Sequence, residues 1–454
     1  MTKFNPLSFC VTGLFLAVVC LTVGSNRALA QVVIDGTPIS GYYNTGNAGT
    51  VDMHGSSSFH NRDGASIVTA NRYDTGHMQN QGTGSIETLN IYNYGNVDNI
   101  GQNYVNSPMT SATIDTANVY DYGILYNWSS TNDALAKSPD LTGTGILGTV
   151  NVYNNGQLQN MRIATVDTVN IYDNGNVLNY HDNSHGGITA YIGTVNVNGG
   201  SLDNFGPITG KSNYGVGISH SQKAATIGEV FLNNGTVNNI GRIDNLTYTG
   251  GTYNAQQAVY LYTRPESSHN STIAFGTGSI GTLTAAGHIT GDNWGIVENV
   301  QFAEGGSGIV SINAYAIGGD FGFSGLKADY VDFTYGNISL GLSDITGMNG
   351  TDDWATTLFN AFGYDNGFYL DTLFGAQSFN GLEDLISLAV TWDSNEFWIL
   401  RDGIFNTGWS INTDTSFVSW SDASANAVPE PATLAIIGLG LTGLGLARRR
   451  RQVK

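Results

Sequence analysis

Asn90, Asn118, Asn151 and Asn170 each stand two positions ahead of a tyrosine (Tyr92, Tyr120, Tyr153, Tyr172) and two positions behind a threonine (Thr88, Thr116, Thr149, Thr168). Side-chain amides both donate and accept hydrogen bonds, and aromatic rings carry flat apolar faces. Gathered on one surface, these groups have the chemistry of a sugar-facing ladder, with amides and hydroxyls for sugar hydroxyls and rings for C–H faces. A structural reading competes with it. Stacked strands align identical side chains into ladders in which amides bond to one another and rings stack, and such ladders simply hold the rungs in register. A flat Thr/Asn array would also suit an ice- or surface-binding protein, but the tyrosines interrupt the stripe and it contains no Thr-x-Thr.

Catalysis would ask for more. A polysaccharide lyase or hydrolase needs converging carboxylates, commonly with Arg or Lys to stabilise charge. Glu87, Asp115 and Asp167 recur in register without a second acid at a fixed offset. No catalytic residue is therefore assigned, and a carbohydrate-active β-helix enzyme is kept as the alternative reading. His181 and His185 are the one closely spaced pair among eight histidines, and they fall in a connecting loop, so no metal site is assigned. Acids such as Asp352 and Asp353 make Ca2+ the only cation to consider, the nonapeptide calcium repeat is absent, and no cofactor is expected. Residues 31–427 carry ten basic against 35 acidic side chains. Nucleic acid is excluded as a partner, because binding a polyanion takes clustered Lys and Arg.

The elements that must carry these residues are repeats. IETLNIYNYGNVDNI (86–100), IDTANVYDYGILYNW (114–128), LGTVNVYNNGQLQNM (147–161) and VDTVNIYDNGNVLNY (166–180) are copies of one segment; shortened copies begin at Ile192, Ile227 and Ile280, and a degenerate one at Gly49. Leu89 and Ile91 alternate with Thr88, Asn90 and Tyr92, a period of two and so a strand. Leu89, Val150, Val169 and Val195 should then point inward. Gly95, Gly123, Gly156 and Gly175 are expected to supply positive φ for a tight turn. Two strands and a glycine turn per copy, with connections of unequal length, predict an all-β fold: a right-handed parallel β-helix or related β-solenoid of degenerate repeats over 31–345. Antiparallel hairpins packed as a sandwich are the alternative that the Asn-Gly turns would favour. Residues 346–422 read as a small β-rich C-terminal module. It would have a helix near the start of TDDWATTLFNAFGYDNG (351–367) and a hairpin of Ser387–Trp392 and Phe397–Gly403 joined by residues 393–396, covering the end of the stack.

Both ends read as addresses. Residues 1–30 have an early Lys3, an apolar run from Phe9 to Val23 and the small-x-small site Ala28-Leu29-Ala30 before Gln31, which predicts a signal peptide, cleavage by signal peptidase and export by the Sec pathway. Cys10 and Cys20 both lie inside it, so no disulfide or thiolate is expected in the body. Residues 423–454 form a linker and tail: Pro429-Glu430-Pro431, an apolar segment 432–447, and Arg448, Arg449, Arg450 and Arg451. At about 1.5 Å per residue the apolar segment reaches about 24 Å as a helix, enough to cross a thinned bilayer with the arginines on the cytoplasmic side. This tail resembles the PEP-CTERM sorting signal of Gram-negative, exopolysaccharide-producing bacteria. The resemblance implies that an exosortase recognises the Pro-Glu-Pro region and removes the transmembrane helix, passing a transiently inner-membrane-anchored protein to the cell surface or extracellular matrix. The expected function is that of a structural or adhesive protein, not an enzyme, associated with exopolysaccharide or biofilm.

Overall fold

The alternating residues of each copy form strands, and the strands stack in parallel. A computed structural model describes residues 31–34, 42–103, 110–131, 144–180, 190–205, 225–255, 259–261, 272–274, 277–317, 320–344, 366–392 and 395–421. Ser66–Arg72, Ser85–Ile91, Ala112–Val119, Gly145–Val152 and Thr165–Ile171 pair in order, and the same repeat position lies opposite itself throughout: Thr69, Thr88, Thr116, Thr149, Thr168 and Thr194 form one column. The second strand of each copy builds its own parallel stack, from His77–Gln81 through Asn96–Asn103, Ile124–Thr131 and Gln157–Met161 to Asn176–Tyr180. Two longer strands, Tyr191–Asn204 and Thr226–Asn239, belong to both stacks and join them into one sheet of 22 strands. This large parallel sheet is the arrangement of a β-helix or solenoid, and it overturns the antiparallel sandwich: the two strands of one copy pair with neighbouring copies and not with each other. A single rung cannot bury its own apolar face, so Ile86, Leu89, Ile91 and Val97, each 1% exposed or less, are covered by the equivalent residues above and below.

The corner between the two strands corrects the sequence reading. Positive φ is carried by Asn93, Asp121, Asn154 and Asp173 (52° to 55°), two positions before the glycines. Short polar side chains tolerate this conformation because they can bond locally to the backbone. Gly156 and Gly175 are needed for another reason: a Cβ would sit 2.5 Å from the Val119 carbonyl oxygen and 2.7 Å from that of Val152, in the rung below.

Parallel pairing runs on past residue 345. Tyr330 lies opposite Ser378 and Ile338 opposite Leu388, so the region from 346 shares both stacks with the repeats. The stack of second strands resumes after Thr252–Asn254 as a seven-stranded sheet, from His288–Ile289 through Ile309–Ile317 and Asn337–Asp344 to Ser387–Trp392. There the pairing turns antiparallel, as expected for a hairpin, but its return strand begins at Asn395 instead of Phe397, with Trp392 opposite Asn395. A short helix, Leu370–Phe374, ends at Gly375 in the left-handed region. The leader with Ala28 and Ala30, the helix expected near 351, His181, His185, Asp352, Asp353, and the tail with Pro429–Pro431, segment 432–447 and Arg448–Arg451 lie outside the described residues. Among the described residues no helix is long and apolar enough to cross a membrane.

Candidate functional site

The expected Asn/Tyr ladder exists as geometry. Asn196, Asn170, Asn151, Asn118 and Asn90 each donate from Nδ2 to the Oδ1 of the preceding asparagine at 2.8–2.9 Å, and Asn71 ends the row on the Asp52 carboxylate at 2.7 Å. Parallel strands bring equivalent side chains to about 4.8 Å spacing, which is the reach of an amide-to-amide bond. Leu89, Val150, Val169 and Val195 point inward with no exposed area.

The rings obey the same spacing. His54, Tyr73, Tyr92, Tyr120, Tyr153 and Tyr172 form one pile with centroids 4.5–5.1 Å apart and planes within 8° of parallel. At that separation each ring covers its neighbour's face. The ladder therefore does not offer flat faces for sugar C–H groups, and what reaches solvent is ring edges and phenol oxygens. Burial raises the hydroxyl pKa of Tyr73, Tyr92, Tyr120 and Tyr153 above the ordinary phenol value, and the phenol of a neighbouring rung raises Tyr92, Tyr120 and Tyr153 further. Beside this pile, Tyr94 and Tyr122 form a separate stacked pair, centroids 5.1 Å apart and planes 8° from parallel, with 61% and 53% of their areas exposed.

A second ladder lies inside the coil, where the sequence reading placed none. Asn61, Asn80, Asn99, Asn127, Asn160, Asn179, Asn204 and Asn239 have no exposed area. Each of the first seven donates to the Oδ1 of the next at 2.8–2.9 Å, and Asn239 closes the row on the Tyr253 hydroxyl at 3.0 Å. The other amide hydrogens go to backbone: Asn80 to the Thr113 carbonyl at 2.9 Å, Asn127 to Thr165 at 3.0 Å, Asn160 to Tyr191 at 3.1 Å. These carbonyls start the first strand two rungs on, so the ladder braces the corner where the chain leaves one turn for the next. Small residues leave room for it, since a Cβ on Gly84 would lie 2.5 Å from the Asn80 Oδ1 and one on Gly145 2.4 Å from that of Asn127. The signal was legible: the copies that begin at Ile86, Ile114, Leu147, Val166, Ile192 and Ile227 each carry Asn two positions after the inward apolar residue of the second strand, as in Val97 and Asn99, and period two puts both on the same face.

Glu87, Asp115 and Asp167 are exposed at the bend of the first strand. Glu87 and Asp115 lie in adjacent rungs, and Gly148 separates Asp115 from Asp167. A charged cluster that the sequence did not reveal occupies the same bend higher up. Arg242 donates from Nε to Asp244 at 2.7 Å and from Nη1 to Glu298 at 2.7 Å, crossing the rung of Gly281 to do so. The Arg242 guanidinium holds the Glu298 carboxyl below its ordinary range, so Glu298 does not stand ready as a proton donor. Among the described residues no three His, Cys, Asp or Glu gather as a metal ion would require. Gln31, the residue after the expected leader, opens the first strand and bonds Asp52 through its side-chain amide at 2.9 Å.

The model of the PEP-CTERM protein-sorting motif matches residues 427–451, the segment holding Pro429, Glu430, Pro431 and the arginine cluster. No curated protein and no solved structure matches the chain. The motif is that of a protein processed by an exosortase and sorted to the outside of the cell.

Proposed function

We propose that this exosortase-sorted chain is a non-catalytic structural protein of the cell surface or extracellular matrix, a rigid β-solenoid associated with exopolysaccharide. The observation that carries the reading is the sorting motif at 427–451 attached to a body whose repeat residues are used in self-pairing ladders. A right-handed coil is the expected hand, as for nearly all parallel crossover connections. The reading requires no cofactor. Segment 432–447 anchors the chain in the inner membrane until the exosortase acts, and signal peptidase frees Gln31. Polysaccharide then meets phenol oxygens, ring edges and free amide hydrogens of the outer ladder, contacts that suit many weak attachments along a chain better than one tight site.

Intact-mass spectra of the surface fraction, from hosts with and without the exosortase, test the sorting half. A mass that starts at Gln31 and stops near Pro429–Pro431 only when the enzyme is present supports it, whereas an uncut tail in the inner membrane of both strains overturns it. Co-sedimentation with the host's purified exopolysaccharide tests the other half. Binding that falls when Tyr92, Tyr120, Tyr153 and Tyr172 are all changed to Phe supports the reading, and no binding by the parent chain overturns it.

A further inference from the structure

The Tyr94–Tyr122 pair differs from the long pile in three respects that bear on reactivity. It is open to solvent, with 61% and 53% of the two side chains exposed. It is isolated, because the same column holds Thr75 below and Asn155 above, so each ring has one aromatic partner in its column. It is also held in register at a corner, centroids 5.1 Å apart, by the parallel pairing of Asn96 with Ile124 just beyond. Two phenols fixed at that distance are poised for oxidative coupling. The chain has no cysteine after Cys20 to intercept a radical or supply a disulfide; Met78, in the rung below Tyr94, has no exposed area, and Met161, in the rung above Tyr122, is half-buried.

We propose that Tyr94 and Tyr122 are a dityrosine cross-linking site, converted by a peroxidase-type oxidant with hydrogen peroxide. Each phenol loses one electron and one proton to give a tyrosyl radical, and the two radicals join through a carbon–carbon bond between ring positions ortho to the oxygens. The two ring hydrogens displaced from those carbons move to the phenol oxygens and restore aromaticity. Hydrogen peroxide takes up the two electrons and two protons and leaves as two waters. Exposure lets the two rings tilt to bring their ortho carbons together, which the five-tyrosine pile, closed between neighbouring rungs, does not allow as freely. The product staples adjacent turns of the coil from outside, a covalent tie in a body with no cysteines. The inference rests on ring geometry and does not depend on the sorting reading.

The test treats the full-length protein with a plant-type peroxidase and hydrogen peroxide, at several protein concentrations, and reads dityrosine fluorescence, intact mass and the proteolytic peptide map. The expected result is a monomer lighter by two hydrogens, with the Tyr94 and Tyr122 peptides fused and a yield independent of protein concentration. Tyr94→Phe or Tyr122→Phe should abolish the product, and Tyr92→Phe should leave it. A cross-link that maps to another pair, that survives both exposed-site variants, or that appears only between molecules as concentration rises overturns the proposal, as does the absence of dityrosine. Circular dichroism of the Phe variants identifies any that fail to fold, and because both positions are exposed the parent spectrum is expected.

Discussion

Arg72 occupies an inward position that Met53 and Ile91 fill in the adjacent rungs. It has no exposed area, bonds the carbonyls of Met53 at 3.0 Å and Gly55 at 2.6 Å, and leaves its Nε without a partner. Burial pushes the guanidinium pKa down to about 10, with Asp74 opposing. A group whose charged form is disfavoured in the fold imposes a penalty at every pH below its folded pKa, and the penalty is relieved as pH rises from there towards the unfolded value. Arg72→Met should therefore stabilise the protein at pH 7 by about 1–3 kcal/mol, as replacing buried charge with packed apolar side chains does; the gain should shrink above about pH 10, read by guanidinium unfolding at pH 7 and pH 10.5. Asn127 is the opposite case, a buried polar group with partners on both sides. Asn127→Leu should cost about 2–4 kcal/mol, since it orphans an Asn99 hydrogen and the Asn160 Oδ1. Asn127→Asp should cost more at pH 7, because carboxylate oxygens face the acceptors of Asn160 and Thr165. The difference should narrow as pH falls and the buried acid takes up its proton.

At the scale of the strand and its ladders, the two asparagine rows run in opposite directions. The outer row, on the first strands, donates towards earlier rungs and the inner row, on the second strands, towards later ones, so their amide dipoles oppose each other along the stack. The aromatic pile adds a pH limit. Tyr73, Tyr92, Tyr120 and Tyr153 hold phenol pKa values raised by burial, while the unfolded chain titrates near about 10. For an acid with a raised folded pKa, the stabilisation is fully present below the unfolded pKa and is lost as pH climbs through the folded one. Unfolding midpoints should therefore be flat across the neutral range and fall above about pH 10, and a phenolate absorbance titration should show a late-titrating set that shrinks by three phenols when Tyr92, Tyr120 and Tyr153 become Phe, leaving Tyr73, the half-buried Tyr248 and the buried Tyr253; a flat midpoint up to pH 11.5 in the parent chain would sink this account. Period-two alternation made the strands, the inward valines and the outer Asn/Tyr columns legible in the sequence. The inner ladder does not stand out in the sequence because asparagine is ordinarily an exposed residue, although its spacing from Val97 carries the signal. Arg242 with Asp244 and Glu298 could not be read, because that contact joins residues two rungs apart and depends on Gly281 lying between them.

On the scale of the whole molecule, neighbour-to-neighbour pairing makes the body nearly one-dimensional, with stability the sum of rung and interface contributions. Connections may differ in length without breaking this sum so long as the rung itself keeps its register, which is why ladder partners are separated by 19, 28, 33, 19 and 26 residues along the outer row. One full 19-residue period can therefore be removed. Deleting residues 153–171 joins Val152 to Tyr172 and brings Val152 opposite Val197 where Ile171 had been, with Asn151 opposite Asn196. The inner row stays continuous as well, since Asn127 gains Asn179 as its next partner in place of Asn160. The shortened chain should fold with the parent circular dichroism spectrum and cooperative unfolding at a modestly lower midpoint. Deleting residues 162–171 should not be tolerated: it removes the whole first strand Thr165–Ile171 while keeping the turn and second strand that follow it, so the inward valines and both asparagine rows lose register. Equal loss of structure in the two deletions would show that the body unfolds as one indivisible unit, and would rule out the additive stack.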